Sequence, residues 1–332
     1  MKAILSEAPG GPDTLVMRDR PVPEPAEGQV RIAVRAIGVN FPDLLIIEDR
    51  YQFRPERPFS PGGELAGVIE AVGPGVTDLA PGDRVMGMPL WGAMAEQVCI
   101  RADLCHRLPD AVGFDQAAAL QITYGTALYG IEERGALRRG ETLLVLGAAG
   151  GVGLAAVELG RALGARVIAA ASSDEKLRTA MDRGAVDGVV YPRGPLDRAA
   201  QRTLADALRA RLGPGGADVV FDTVGGDYAE PALRSTGWLG RYLVVGFPAG
   251  IPQFPGNLPL LKSCDIRGVF WGAAVERDKA AHHVAMDRLL RLLAEGAITP
   301  LIHARYPLER AGEAIAALST RAVRGKVIVT VG

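Results

Sequence analysis

Glu141–Gly153 reads ETLLVLGAAGGVG: an apolar run, Leu143 to Leu146, enters a glycine-rich turn, and an apolar helical stretch, Leu154 to Leu163, leaves it. A parallel strand ending at Leu146 has to reverse tightly, bring its backbone against a pyrophosphate and pack the next helix closely on its sheet. Glycine meets all three needs. The start of that helix offers N–H groups without intrahelical partners, and the positive end of its dipole, to phosphate oxygens. Ala149, Gly150, Gly151, Val152 and Gly153 are therefore read as the phosphate-facing residues of a dinucleotide site. A glycine-rich loop alone is weak evidence, and an ordinary tight turn is the competing reading; the strand before and the helix after favour the nucleotide.

The chain of 332 residues is long enough for two domains with cores that need no staples. Lys and Arg number 37 against 38 Asp and Glu, a net charge of -1, so no excess of positive charge points to nucleic acid. Three cysteines, Cys99, Cys105 and Cys264, are too few and too scattered for a disulfide framework, which fits a reducing cytoplasm. No basic start followed by a long apolar run opens the chain, and no stretch of ~18 apolar residues occurs, so neither a signal peptide nor a membrane span is expected.

Before Phe114, turns rich in Pro and Gly separate short β-type runs, Gln29–Ala36, Leu65–Val72, Asp83–Met86 and Ala95–Ile100, which predict a mostly β domain. From Phe114 onward helix and strand alternate. The apolar runs Thr142–Leu146, Arg166–Ala170, Gly188–Val190, Val219–Asp222 and Gly240–Val245 have helical stretches between them and predict a doubly wound parallel sheet. A strand Asp265–Trp271 and an amphipathic helix Ala280–Glu295 close that unit, and a tail with a helix Leu308–Leu318 and a strand Lys326–Val331 is expected to return to the first domain. The expected division is 1–121 with 273–332 around an inserted cofactor domain, 122–272.

The turn after the second parallel strand decides between the two nicotinamide cofactors, because a carboxylate there grips the ribose 2′-hydroxyl and repels a 2′-phosphate. Here the strand runs into Ala171-Ser172-Ser173 with no acid at its end, and Lys176 follows one helical turn on. Two hydroxyls and a point charge suit a doubly charged phosphate, so NADPH is the expected cofactor. Ser172 or Ser173 also suits the N-cap of the next helix, and Lys176 a solvated surface. Asp174 is the counter-indication, since it would reach a ribose hydroxyl if the strand ended later.

With the β-rich first domain, LGAAGGVG, SSDEK and the string NFPDLL…RYQFRP…PFSPGGELAGVIEAVG, the chain resembles the medium-chain dehydrogenase/reductase superfamily, and within it the quinone oxidoreductase family, nearly end to end. The resemblance implies a β-rich GroES-like catalytic domain joined to a Rossmann cofactor domain. Zinc-dependent alcohol dehydrogenases of that superfamily carry a cysteine where Asn40 stands and a histidine where Gly63 stands. A catalytic zinc needs about three protein ligands, and a structural zinc lobe needs four close cysteines, which Cys99, Cys105 and His106 do not supply. The cysteines read instead as small buried hydrophobes and His106 as a surface histidine; no metal is expected. Reducing a simple carbonyl needs a Lewis acid for the developing alkoxide. In a quinone or α,β-unsaturated carbonyl the arriving hydride sends charge to an oxygen that hydrogen bonds can hold.

The resemblance also implies site residues. Asn40 lies at the nicotinamide edge, holding a ribose hydroxyl or a substrate oxygen, and Asp43 positions loops. Tyr51 lines the substrate cleft, as hydrogen-bond donor to the substrate oxygen or proton donor to the enolate; aromatic packing of a loop is the competing reading. Leu45 stands where several relatives have a tyrosine. Thr123 faces the nicotinamide, or caps a helix. Tyr191 and Arg321, with the Ser172–Lys176 turn, surround the 2′-phosphate. Val245, Gly246 and Phe247, and Phe270, Trp271 and Gly272, pass along the nicotinamide carboxamide, although Phe270 and Trp271 also read as core. His282, His283 and His303 are read as non-catalytic, because adjacent helical residues point to different faces.

The expected activity is hydride transfer from NADPH to a quinone or enone, in a homodimer that pairs Asp265–Trp271 across a two-fold axis. An enoyl-CoA reductase is the second enzyme reading, kept open by Arg50, Arg54 and Arg57 around Tyr51 as a basic entry. A non-enzymatic NADPH- or RNA-binding protein is the reading from another class, and the near-neutral charge argues against RNA.

Overall fold

A computed structural model of the chain describes residues 1–320 and 322–332. Two compact units are present, Met1–Ile122 with Lys279–Gly332, and Thr123–Asp278. The first is built on a seven-stranded sheet. Its long central strand, Gln29–Val39, pairs antiparallel with Glu64–Val72, with Lys326–Thr330 and with Gln97–Arg101. Glu64–Val72 continues to Arg84–Gly87 and then Cys105–Arg107, while Ile302–Pro307 lies parallel to Lys326–Thr330. Alternating apolar residues of the central strand, Val30, Ile32 and Val34, face a core shared with Leu65, Ile69, Val85, Val327 and Val329. The C-terminal strand therefore belongs to the same sheet as Asn40 and Glu64, which fixes the site described below.

The second unit is a six-stranded sheet with parallel pairings throughout, ordered Asp187–Val190, Arg166–Ala171, Thr142–Leu146, Ala217–Asp222, Thr236–Val244, Asp265–Gly268. Numbered within the unit this is 3-2-1-4-5-6, the order of a doubly wound Rossmann sheet. Leu143 to Leu146 are buried on both faces, which is why that run is continuously apolar and does not alternate. Helices Gly151–Ala162, Asp174–Asp182, Arg198–Leu212, Ala229–Arg234 and Asn257–Lys262 lie in the successive crossovers.

Two expectations are corrected. The last strand stops at Gly268, and Trp271 opens a helix, Trp271–Arg277, with Phe270 before it. Its apolar residues serve packing and not the ladder: a Cβ on Gly125 would lie 2.4 Å from the Trp271 indole. Phe270, read as core, is half-exposed at 51%. The second correction concerns the histidines. His106 is buried on the strand Cys105–Arg107, its Nε2 lies 3.2 Å from His282 Nε2, and its ring centroid is 4.6 Å from that of His283. Successive residues of helix Lys279–Ala294 thus flank one imidazole, because a side chain set between two helical positions is reached from both. Burial, followed by the neighbouring imidazoles, holds His106 down at about 3, and burial followed by His283 holds His282 at about 4.

Candidate active site

In the Rossmann unit the nucleotide-facing residues inferred from sequence and described here, apart from Thr123, follow the carboxyl ends of parallel strands, where such sheets bind ligands. After Leu146 the chain turns at Gly147, whose φ of 72° is left-handed and whose added Cβ would meet Thr223 Oγ1 at 2.3 Å. Gly147 was not among the residues inferred from sequence; its signal was its position directly after the last strand residue. Gly153 is needed for another reason: a Cβ there would lie 2.2 Å from the Gly147 carbonyl oxygen. Gly150 is the N-cap of helix Gly151–Ala162, and no side chain caps that end. Its first-turn N–H groups are thus open to an anion. The opposite wall comes from the end of strand Ala217–Asp222. Thr223 Oγ1 donates to the Leu146 carbonyl (2.8 Å), and Asp222 Oδ1 accepts from the N–H groups of Val224 and Gly225.

The second strand ends at Ala171. Ser173 is the N-cap of helix Asp174–Asp182, its hydroxyl accepting from the Lys176 N–H (3.3 Å), so capping holds, and Ser172, Ser173 and Lys176 are all half-buried. Asp174 is exposed in the first turn of the helix and past the strand end. Tyr191 follows the third strand, its N–H donating to Ala171 and its ring 4.9 Å from that of Tyr228. Val245 and Gly246 are half-buried and Phe247 is 50% exposed beyond Val244, with Val245 and Gly246 N–H both directed to the Asp222 carbonyl. Gly272 lies in the helix begun by Trp271. Thr123 is buried inside helix Gln121–Leu128, where it is a body residue of the helix and not its cap. Arg321 lies outside the described residues.

The catalytic unit holds a closed polar knot. Asn40 directly follows the central strand and is the N-cap of helix Phe41–Ile47. Its Nδ2 donates to the Gly38 carbonyl (3.0 Å) and to Glu64 Oε1 (2.8 Å). Lys326 Nζ donates to Asn40 Oδ1 (2.7 Å), Glu64 Oε1 (2.7 Å) and the Val39 carbonyl (2.9 Å). Glu64 Oε2 accepts the Ile122 N–H (2.8 Å). Asp43 Oδ2 accepts the Asn40 backbone N–H (2.7 Å), and complete burial raises the Asp43 carboxyl to about 7. Lys326 and Glu64 had no role assigned from the sequence, and only tertiary contact reveals them; Asp43, expected to position loops, holds the backbone N–H of Asn40. Tyr51 is half-buried on this unit's core, its ring 6.0 Å from that of Phe53. Its phenol has no hydrogen-bond partner among the described residues, and burial, then the Asp43 charge, keep it protonated. Gln121 has a buried carboxamide whose N and O both lack partners among the described residues, which calls for a water or ligand there.

The donor set does not fit a zinc ion. Beside Asn40 and Gly63 the carboxylate Glu64 already accepts from an ammonium and two N–H groups. Among the described residues no group of three or more His, Cys, Asp or Glu side chains is gathered as a metal site. Nor is any helix among them long and apolar enough to cross a membrane.

A β-rich unit and a 3-2-1-4-5-6 dinucleotide sheet of this kind make up a medium-chain dehydrogenase/reductase. Residues 26–110 match the family model for the alcohol dehydrogenase GroES-like domain, and residues 151–291 that for zinc-binding dehydrogenase. Rat quinone oxidoreductase-like protein 2 is 38% identical over 304 residues, 91% of this chain and 85% of that protein. The solved structure of Escherichia coli quinone oxidoreductase complexed with NADPH matches at a TM-score of 0.90 and 29% identity, covering 99% of this chain and 100% of that one. Polyketide synthase GfsB of Streptomyces halstedii is 36% identical over 307 residues, 92% of this chain and 5% of its own length. The chain belongs to the quinone oxidoreductase family of medium-chain oxidoreductases.

Proposed function

We propose that this oxidoreductase uses NADPH to reduce a quinone or an α,β-unsaturated carbonyl compound without a metal. The observation that carries the proposal is the pairing of a protonated, unpartnered Tyr51 phenol with a neighbouring polar knot whose carboxylate is already engaged by the Lys326 ammonium. NADPH supplies the hydride when bound. The Gly147–Gly153 turn and the uncapped helix end hold its pyrophosphate, and Ser172, Ser173, Lys176 and Tyr191 hold its 2′-phosphate. Val245–Phe247, Phe270–Gly272 and Thr123 border the nicotinamide. Tyr51 donates a hydrogen bond to the substrate oxygen and then its proton to the enolate formed there. A half-buried Leu45 leaves that side apolar, as a flat quinone or enone requires.

The second enzyme reading is an enoyl-thioester acceptor, which the arginines around Tyr51 would serve as a basic entry. The basic entry expected for coenzyme A is thinner than the sequence suggests, because Arg50 pairs with Glu48 and Arg57 with Asp49, both at 2.8 Å. A homodimer is part of the proposal. Trp238, Leu239, Ile251, Leu260 and Leu261 expose large apolar side chains on the unit whose strand Asp265–Gly268 is an unpaired sheet edge.

The test is NADPH oxidation against a panel of quinones, enones and enoyl thioesters, with NADH in parallel. Turnover of quinones or enones with NADPH is expected. No oxidation with any acceptor refutes the reductase reading, thioester-only turnover selects the second, and NADH outpacing NADPH refutes the phosphate site.

A further inference from the structure

We infer that the buried pair Lys326–Glu64 is a positioning device that locks the Asn40 carboxamide as an acceptor-only group toward any ligand. The argument is a count of donors and acceptors. A carboxamide has two N–H donors and two lone pairs on its oxygen. Both Asn40 donors are engaged, one by the Gly38 carbonyl and one by Glu64 Oε1, and one lone pair takes the Lys326 ammonium. One lone pair remains. An amide can usually flip to suit a ligand, but here one neighbour is an ammonium that only donates and the other a carboxylate that only accepts. A flipped Asn40 would set N–H against N–H and oxygen against oxygen.

The lock is itself closed. All three Lys326 donors are used, on Val39, Asn40 and Glu64, and both Glu64 oxygens are occupied, with the Lys326 and Glu64 side chains 4% and 0% exposed. Gly38 is required beside them, since a Cβ there would lie 2.6 Å from Glu64 Oε1 and 2.0 Å from the Ala118 carbonyl. It follows that Asn40 cannot donate to a substrate carbonyl or to the enolate oxygen formed from it. Its ligand must bring a donor of its own, such as a ribose hydroxyl of the cofactor. This assignment of a partner rests on the proposed NADPH site. The lock does not.

The pair variant Lys326→Met with Glu64→Gln tests both, because it leaves no unpaired buried charge and puts a carboxamide, which can donate or accept, beside Asn40. In wild type the two Asn40 side-chain amide protons, followed by 15N NMR, are expected to be protected from hydrogen exchange, and in the pair variant to lose that protection. Unprotected protons in the wild type overturn the lock. NADPH affinity, titrated by fluorescence without an acceptor, is expected to fall 3- to 10-fold, roughly the worth of one hydrogen bond, in Asn40→Ala and in the pair variant. The triple variant is expected to bind no more weakly than Asn40→Ala alone. Additive losses, or an unchanged NADPH affinity with a raised acceptor KM, overturn the assigned role. Protected amide protons in a protein that binds no NADPH refute the proposed cofactor and leave the lock standing.

Discussion

Lys326→Met alone should be among the most damaging substitutions in the catalytic unit, although it replaces one unbranched side chain by another. The methionine fills most of the space of the lysine stem. What it removes is an ammonium whose three hydrogen bonds end on Val39, Asn40 and Glu64, leaving a carboxylate with 0% exposed side chain and only two N–H donors. Deleting one partner of a buried ion pair costs about 3–5 kcal/mol. For a unit of this size each kcal/mol lowers the midpoint by about 2–4 °C, so the expected fall is on the order of 6–20 °C. Scanning calorimetry at neutral pH measures it, with each transition read separately because two compact units are present. Adding Glu64→Gln should restore most of the loss, since the cost lies in the stranded charge. A fall under about 3 °C, or a double variant no more stable than the single, would refute the reasoning.

Lys176→Ala should raise the NADPH Michaelis constant about 5- to 10-fold and leave that for NADH nearly unchanged, a half-buried charge being worth on the order of 1 kcal/mol to a phosphate; equal effects on both cofactors would remove Lys176 from the phosphate site. Gly153→Ala puts a methyl 2.2 Å from the backbone oxygen of Gly147, so the turn must open. NADPH affinity should drop at least about fivefold for a strain of 1–3 kcal/mol, and an unaltered titration curve would contradict the close-approach role. Stability should depend on pH in two opposed ways. Asp43, raised from 3.8 to about 7, keeps a proton in the fold that the unfolded chain releases, so its contribution is lost as pH rises from about 4 to 7. His106 and His282, lowered from 6.5 to about 3 and about 4, give stability that is full above 6.5 and is lost as pH falls through those values. His282→Leu should therefore make the acid limb of a midpoint-against-pH series shallower; a steeper limb would show that the buried imidazoles do not govern it.

What the sequence made legible was local. The strand, turn and helix at Thr142–Ala162, the acid-free Ser172-Ser173 and the Pro- and Gly-punctuated β runs each carry their signal within about a dozen residues, the range over which periodicity and turn chemistry act. Lys326 meets Asn40 across 286 positions, and His106 meets His282 across 176, with no pattern linking either pair. Val269-Phe270-Trp271 was misleading for a related reason. An apolar triplet after a strand reads as more strand, yet the neighbouring strand's register ends at Val244 opposite Gly268, so no ladder remains for Trp271 to join.

The catalytic unit divides its polar groups sharply. Around Asn40 nearly every donor and acceptor is satisfied internally, including an ammonium and a carboxylate that would otherwise destabilise the core. The Tyr51 phenol and the Gln121 carboxamide are left open, and in the cofactor unit so are the first-turn N–H groups after Gly150. Gln97 Oε1 is open as well, so an open group by itself marks only a place where water or an outside molecule can complete the count. The phenol can give a proton to a substrate oxygen, the helix end can take an anion, and Asn40 can only receive. That distribution suits a reductase in which Asn40 meets the cofactor's hydroxyls and Tyr51 alone of the pair meets the substrate's oxygen. Tyr51→Phe should accordingly lower kcat about 10²-fold or more with NADPH affinity unchanged, whereas Asn40→Ala should weaken NADPH and spare the acceptor KM. Kinetics in which the two variants cannot be told apart would contradict the division.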